Sequence, residues 1–171
     1  MTRILAIANQ KGGVGKTTTS VNLAASIASK GRRVLVVDMD PQANATSGLG
    51  MPRGSVAEGI YEALTLDRPV RELTQLTEVD GLYVVPSTRE LAGAEIELVA
   101  VDDREQRLKR ALEPVIAQYD YVVSGDDSGC GSGEGGEGGE IRTAVLVKVD
   151  IQPGQPDQRL ESVTTVTISP A

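Results

Sequence analysis

The chain has 171 residues, 40% of them apolar, and its 24 Asp/Glu against 17 Lys/Arg give a formal net charge of −7. That length suits one domain with a real core, and the acidic balance argues against a broadly basic nucleic-acid binder. With no histidine and one cysteine, Cys130, the chain has no internal disulfide and lacks the ligands of a zinc or iron–sulfur site.

Phe and Trp are missing, so the core must be built from Val, Leu, Ile and Ala. No run of about 18 apolar residues is present to span a membrane. The N-terminus also lacks the charged region and long apolar stretch of a signal peptide, so a cytoplasmic protein is expected. Charge is uneven. Residues 1–123 carry 14 basic and 16 acidic side chains, whereas residues 124–171 carry 3 and 8.

Taken in order, residues 4–9 read as a buried strand, and residues 16–30 as a helix with apolar side chains at helical spacing. Between them runs Asn9-Gln10-Lys11-Gly12-Gly13-Val14-Gly15-Lys16-Thr17-Thr18. Strand, glycine-rich turn and helix form the context of a phosphate-binding loop, in which successive backbone N–H groups and a helix N-terminus face one anion. In such a loop Lys16 reaches the β/γ-phosphates and the Thr17 hydroxyl ligates Mg²⁺. Gly31 fits a helix stop, and residues 33–38 form a second continuous apolar run, as in a parallel strand covered on both faces.

Asp38-Met39-Asp40-Pro41 follows at the carboxyl end of that strand, with two acids at i and i+2 placed for Mg²⁺ and water chemistry. Pro41 ends strand pairing and predicts that Asp40 sits on a loop able to move. Residues 55–66 look helical with Ser55 as the cap, and a short helix begins near Pro69. Residues 81–86 read as a third strand. Residues 102–118 form an amphipathic helix whose apolar face is Leu108, Ala111, Leu112, Val115, Ile116 and Tyr119, with Pro114 bending or breaking it. A fourth strand begins over 119–123. Residues 124–140 then have linker composition, with eight glycines between 125 and 139, and residues 141–171 hold two strand-like runs, 143–151 and 162–168.

The loop departs from the common form in carrying Gln10 where glycine is usual, and in a second lysine, Lys11. Lys-Gly-Gly-x-Gly-Lys-Thr-Thr resembles the deviant loop of the ParA/MinD family of dimerising ATPases. Asp-x-Asp-Pro-Gln-x-Asn-x-Thr over 38–46 and Leu-Ala-Gly-Ala-Glu over 91–95 resemble its chromosome- and plasmid-partitioning branch, ParA/Soj. The resemblance covers residues 1–123 and implies a P-loop NTPase-like parallel sheet of at least four strands flanked by helices, an α/β fold. It appears here in truncated form, and the tail is expected to add antiparallel strands over the open sheet edge.

The resemblance implies ATP and Mg²⁺ on Lys11, Gly12, Gly13, Val14, Gly15, Lys16, Thr17 and Thr18, with Thr17 and Asp38 at the metal. It gives Lys11 a role across a homodimer interface and Asp40 the positioning of the attacking water. It also implies a centromere-binding partner and non-specific DNA on the nucleoid, although the usual DNA surface belongs to a part of the family fold beyond residue 123. No membrane attachment is implied, since the tail is acidic and strand-like rather than a basic amphipathic helix. The family's second Mg²⁺-associated acid falls on Ser124 and Gly125, with Asp126 and Asp127 one and two places late.

Plainer readings stand beside these. Lys11 could be a solvated lysine, Asp40 a turn aspartate before proline, and Asp38 a strand-end cap. Asp126, Asp127, Cys130 and Glu134/Glu137/Glu140 read as spacer, and Arg104/Arg107/Lys109/Arg110 as a solvated helix face. The function expected is a slowly hydrolysing, ATP-dependent dimerisation switch of the ParA type; the alternative is a non-catalytic remnant with weak or no nucleotide binding.

Overall fold

A computed structural model describes residues 2–7, 15–99, 104–125, 143–147 and 163–167. Four parallel strands and one antiparallel strand form the main sheet in the order β1-β5-β2-β4-β3. These are β1 (Arg3–Ile7), β2 (Val34–Asp38), β3 (Gln75–Leu76), β4 (Leu82–Val85) and β5 (Tyr121–Gly125). Helices α1 (Lys16–Ala28), α2 (Asn44–Gly48), α3 (Ile60–Thr65), α4 (Val70–Leu73), α5 (Leu91–Val99) and α6 (Arg104–Ile116) connect them.

The two-residue period of the strands divides the core into two layers. Val34, Val36, Leu82, Val84 and Val123 join Ala24 and Ala28 of α1 and Ala45 of α2 on one face. Leu35, Val37, Val85 and Val122 join Ile60, Val70, Leu91, Leu112 and Val115 of α3–α6 on the other. All five residues of β2 are buried, as its apolar run requires. The parallel α/β sheet flanked by helices is therefore the architecture expected from the sequence.

Several boundaries differ. β1 lies at one side of the main sheet and is not wholly buried: Leu5 is 1% exposed but Ile4 38%. The helix expected over 55–66 is confined to Ile60–Thr65, and Ser55 does not cap it; the Ser55 hydroxyl donates to Pro52 O in the preceding turn, 2.7 Å away. The entry to α3 is instead fixed by Gly59, whose N–H donates to Glu62 Oε2 at 2.6 Å. A Cβ at Gly59 would collide with the Pro86 carbonyl, the same oxygen that accepts from Ile60 N at 2.8 Å. The start of α3 is thus chosen by its contact with the end of β4. Glu62→Ala removes the acceptor of the buried Gly59 N–H and is expected to cost about 1–2 kcal/mol, read as a lower urea midpoint.

The expected helix start at Pro69 is borne out, with Pro69 as the N-cap of α4. The amphipathic helix is also borne out: Leu112, Val115 and Tyr119 are buried, and Leu108, Ala111 and Ile116 pack against the same cluster. Pro114 sits inside the last turn of α6 and the helix runs only two residues beyond it. Of its basic residues, Arg107 turns inward, donating to Leu64 O at 3.3 Å and to Asp67 at 2.8 Å.

The two strands of the tail, β6 (Thr143–Val147) and β7 (Val163–Thr167), pair antiparallel with each other as a separate two-stranded sheet, and β6 neighbours β1. The strand-like reading holds, but these strands are not part of the five-stranded ladder. Lys11, Gly12, Gly13 and Val14 lie outside the described residues, as do Asp126, Asp127, Cys130 and Glu134/Glu137/Glu140.

Candidate functional site

Because β1, β5, β2 and β4 run parallel, their carboxyl ends gather at one side of the sheet, and the candidate residues collect there. Gly15 begins α1 in the left-handed conformation, with φ at 83°. Only glycine adopts that conformation at little cost, and here it turns the chain directly into the helix. No side chain caps this end and no acidic residue occupies the first turn. Such a helix start presents backbone N–H groups and a positive dipole end to an anion. Lys16 is buried, Thr17 half-buried and Thr18 exposed. The donor set therefore fits a phosphate group.

Asp38 closes β2, 1% exposed. Its Oδ2 accepts from the Thr46 N–H at 2.7 Å and from the Thr46 hydroxyl at 2.6 Å, and its Oδ1 accepts from the Asp40 N–H at 3.1 Å. Burial pushes its carboxyl above the usual aspartate range; the Thr46 bonds and the Asp40 N–H pull it back, and the Asp40 carboxylate adds to the rise. The Thr46 hydroxyl also accepts from Ser87 N at 3.0 Å, so this one oxygen ties the ends of β2 and β4 together.

Asp40 lies on the loop after β2, as expected, and its side chain is buried there. Its Oδ1 accepts from Gln42 N at 2.8 Å; its Oδ2 accepts from the Asn44 side chain at 2.6 Å and from Asn44 N at 3.4 Å. Pro41 does end the pairing, but the carboxylate then folds the next four residues around itself as a local turn. Ala43 within that turn is left-handed at φ 54°, a conformation that costs a non-glycine residue about 1–2 kcal/mol.

Gly125, at the end of β5, stands in register between Ile7 of β1 and Asp38 of β2. A Cβ there would lie 2.7 Å from Ser20 Oγ and 3.3 Å from Ser20 Cβ. The Ser20 hydroxyl in turn donates to Lys16 O at 2.9 Å. Helix α1 thus rests directly on the backbone of β5. Arg53 and Ser20 were not singled out by the sequence reading, and Asn44 and Thr46 entered it only as motif positions with no role assigned. By contrast, a groove of about 430 Å³ lined by Arg32, Arg33, Val79 and Asp80 opens where β2 and β4 begin, away from these groups.

A family model described as an AAA domain matches residues 2–126. The chain belongs to this AAA-domain family. The ParA/Soj resemblance read from the motifs is borne out as well. Over 121 residues this AAA domain is 60% identical to the chromosome partitioning protein ParA of Myxococcus xanthus, covering 71% of the chain and 43% of that protein. Over 123 residues it is 57% identical to the sporulation initiation inhibitor protein Soj of Bacillus subtilis, covering 72% and 49%. The chain thus spans about half the length of the curated relatives it matches.

Among solved structures, this AAA domain superposes on a cobyrinic acid a,c-diamide synthase from Mycobacterium smegmatis with bound ATP analog and magnesium. The TM-score is 0.70 at 40% identity, over 73% of this chain and 51% of that one. It also matches the septum site-determining protein MinD of Pyrococcus horikoshii complexed with Mg-ADP, with a TM-score of 0.61 at 28% identity over 73% and 49%. Among the described residues, no helix is long and apolar enough to cross a membrane.

Proposed function

We propose that this chain binds ATP with Mg²⁺ on residues 11–18 and hydrolyses it slowly, as the nucleotide-binding part of a ParA-type partitioning ATPase. The observation that carries the reading is convergence. The left-handed Gly15 and the buried Lys16 follow β1, and of the two buried acids Asp38 closes β2 and Asp40 follows it. Both positions are at the carboxyl ends of the two parallel strands that flank β5. Relatives named for chromosome partitioning and neighbours holding ATP analog or ADP with magnesium support it.

In this reading the loop amides and Lys16 hold the phosphates, while the Thr17 hydroxyl and Asp38 hold the metal. Magnesium would supply charge neutralisation at the β- and γ-phosphate oxygens. Asp40 orients the attacking water, and Lys11 reaches the nucleotide of a second copy, so that ATP holds the dimer and hydrolysis releases it. A centromere-binding partner that speeds the step, nucleoid association and a cytoplasmic setting complete the proposal.

The test is a titration of ATP·Mg²⁺ with affinity, oligomer size and phosphate release recorded. Lys16→Ala is expected to lose binding. Asp40→Ala is expected to bind and dimerise while releasing phosphate on the order of 10²-fold more slowly, the size of a lost base-type contact. A wild-type chain that binds no ATP would refute the proposal and leave the motifs as ancestry, the non-catalytic alternative.

A further inference from the structure

We propose that Arg53 and Asn44 are positioning residues for the Asp40 carboxylate, linked as a two-bond chain from the protein surface to the site. The Asn44 side-chain amide donates to Asp40 Oδ2 at 2.6 Å, and its carbonyl oxygen accepts from Arg53 Nη2 at 2.8 Å. Arginine has donors only, so the Asn44 atom that faces it must be the oxygen, and the atom that faces Asp40 must then be the NH₂. A carboxylate accepts and does not donate, so both neighbours demand the same orientation of one amide. Asn44 is half-buried and Arg53 exposed on the connection between α2 and α3, nine residues along the chain.

This linkage matters because it supplies a side-chain donor to Asp40. Gln42 N and Asn44 N, which also donate to it, are backbone groups of the same turn. Gln42 N holds Oδ1 at 2.8 Å, but the backbone reaches Oδ2 only at 3.4 Å, so the 2.6 Å bond from the Asn44 amide is the short contact that sets the second oxygen. A carboxylate that orients water needs both oxygens set, since misplacement of a positioning group costs rate rather than binding. The strained left-handed Ala43 lies between the two ends of the turn, so the Arg53 contact also helps hold a backbone that local preference opposes. The role rests on the hydrolysis proposed above.

The test uses the full chain with Arg53→Ala, Arg53→Lys and Asn44→Ala. Two readouts are recorded: phosphate release with kcat and KM separated, and water exchange of the Asn44 side-chain NH₂ by NMR without nucleotide. Arg53→Ala is expected to speed the amide exchange and lower kcat about tenfold with KM unchanged, with Asn44→Ala lowering it at least as much. Arg53→Lys, which still donates, restores part of both. Wild-type amide exchange and wild-type kcat in Arg53→Ala would overturn the proposal, as would equal losses in kcat and affinity. A wild type that releases no phosphate refutes the hydrolysis reading separately, and the amide exchange still decides whether Arg53 sets Asn44 against Asp40.

Discussion

Replacing Thr46 with valine is expected to lower folding stability by about 3–4 kcal/mol, although the two side chains have nearly the same shape. The methyl for hydroxyl exchange removes a charge-assisted bond to a buried carboxylate at 2.6 Å. It also leaves Ser87 N, which donates to the same oxygen at 3.0 Å, without an acceptor inside the protein. The first loss is worth about 1.5–3 kcal/mol and the orphaned N–H about 1–3 kcal/mol, and partial relaxation keeps the sum in the lower half of the combined range. Against a total of about 5–15 kcal/mol for a domain, that is a large fraction.

The effect should depend on pH in a defined direction. Burial raises the Asp38 carboxyl above its ordinary 3.8, so the folded state holds that proton more tightly than the unfolded chain. Its contribution to stability is therefore fully present below 3.8 and is lost as pH rises through the raised folded value. Thr46 favours the charged form, so its removal raises the folded value further. The Thr46→Val deficit is expected to be largest near neutral pH and to shrink as pH falls through the raised folded values, reaching its minimum before 3.8, in urea melts without Mg²⁺. A deficit independent of pH would show that the bond to the Asp38 carboxylate contributes nothing, leaving the Ser87 N bond and packing to account for the loss.

What could be read from the sequence follows the range of the forces involved. β2 was legible because a central parallel strand must be apolar on both faces, and Val34–Val37 is. The helix α6 was legible because its buried stripe repeats at helical spacing. The helix α2, Asn44–Gly48, carries no such signal: it is short, polar and preceded by the left-handed Ala43. Its formation depends on Asp38 and Asp40 accepting its N–H groups and side chains. Ser55 carried a good capping signal, but the contact of Gly59 with Pro86, 27 positions along the chain, decided the helix start.

The site divides in the same way. The loop and its two acids form local patterns and were named from them. The groups that touch those acids, Gln42, Asn44 and Thr46, lie close along the chain. Arg53 and Ser87, which hold Asn44 and Thr46 in turn, are 9 and 41 residues away from them. No spacing rule connects such pairs. For Asp40, proline reported correctly that the strand ends, but not that the carboxylate would organise the turn behind it.

Gly125→Val is expected to cost about 2–3 kcal/mol and to weaken nucleotide binding together with stability. Its Cβ would stand 2.7 Å from Ser20 Oγ and 3.3 Å from Ser20 Cβ. Ser20 is fully buried, and its hydroxyl already bonds Lys16 O, so rotating it away breaks that bond. The Ser20 Cβ contact at 3.3 Å persists in every rotamer, so relief is expected to come in part from lifting the first turns of α1 off β5. Those turns carry Lys16 and Thr17, which is why a packing change in β5 should reach the phosphate loop.

A double-mutant cycle separates this contact from any general intolerance of β5. Ser20→Gly removes both crowding atoms and by itself costs about 0.5 kcal/mol of helix propensity relative to serine, besides the bond to Lys16 O. The pair should then cost at least about 1 kcal/mol less than the sum of the singles, and nucleotide affinity should recover in parallel. Gly93→Ala is the control. On α5 a Cβ at Gly93 meets Glu97 at 3.5 Å, an ordinary contact, so alanine there should stabilise by up to about 1 kcal/mol. Strictly additive losses in Gly125→Val and Ser20→Gly would mean that α1 is not seated on Gly125, and that nucleotide affinity is not coupled to that contact.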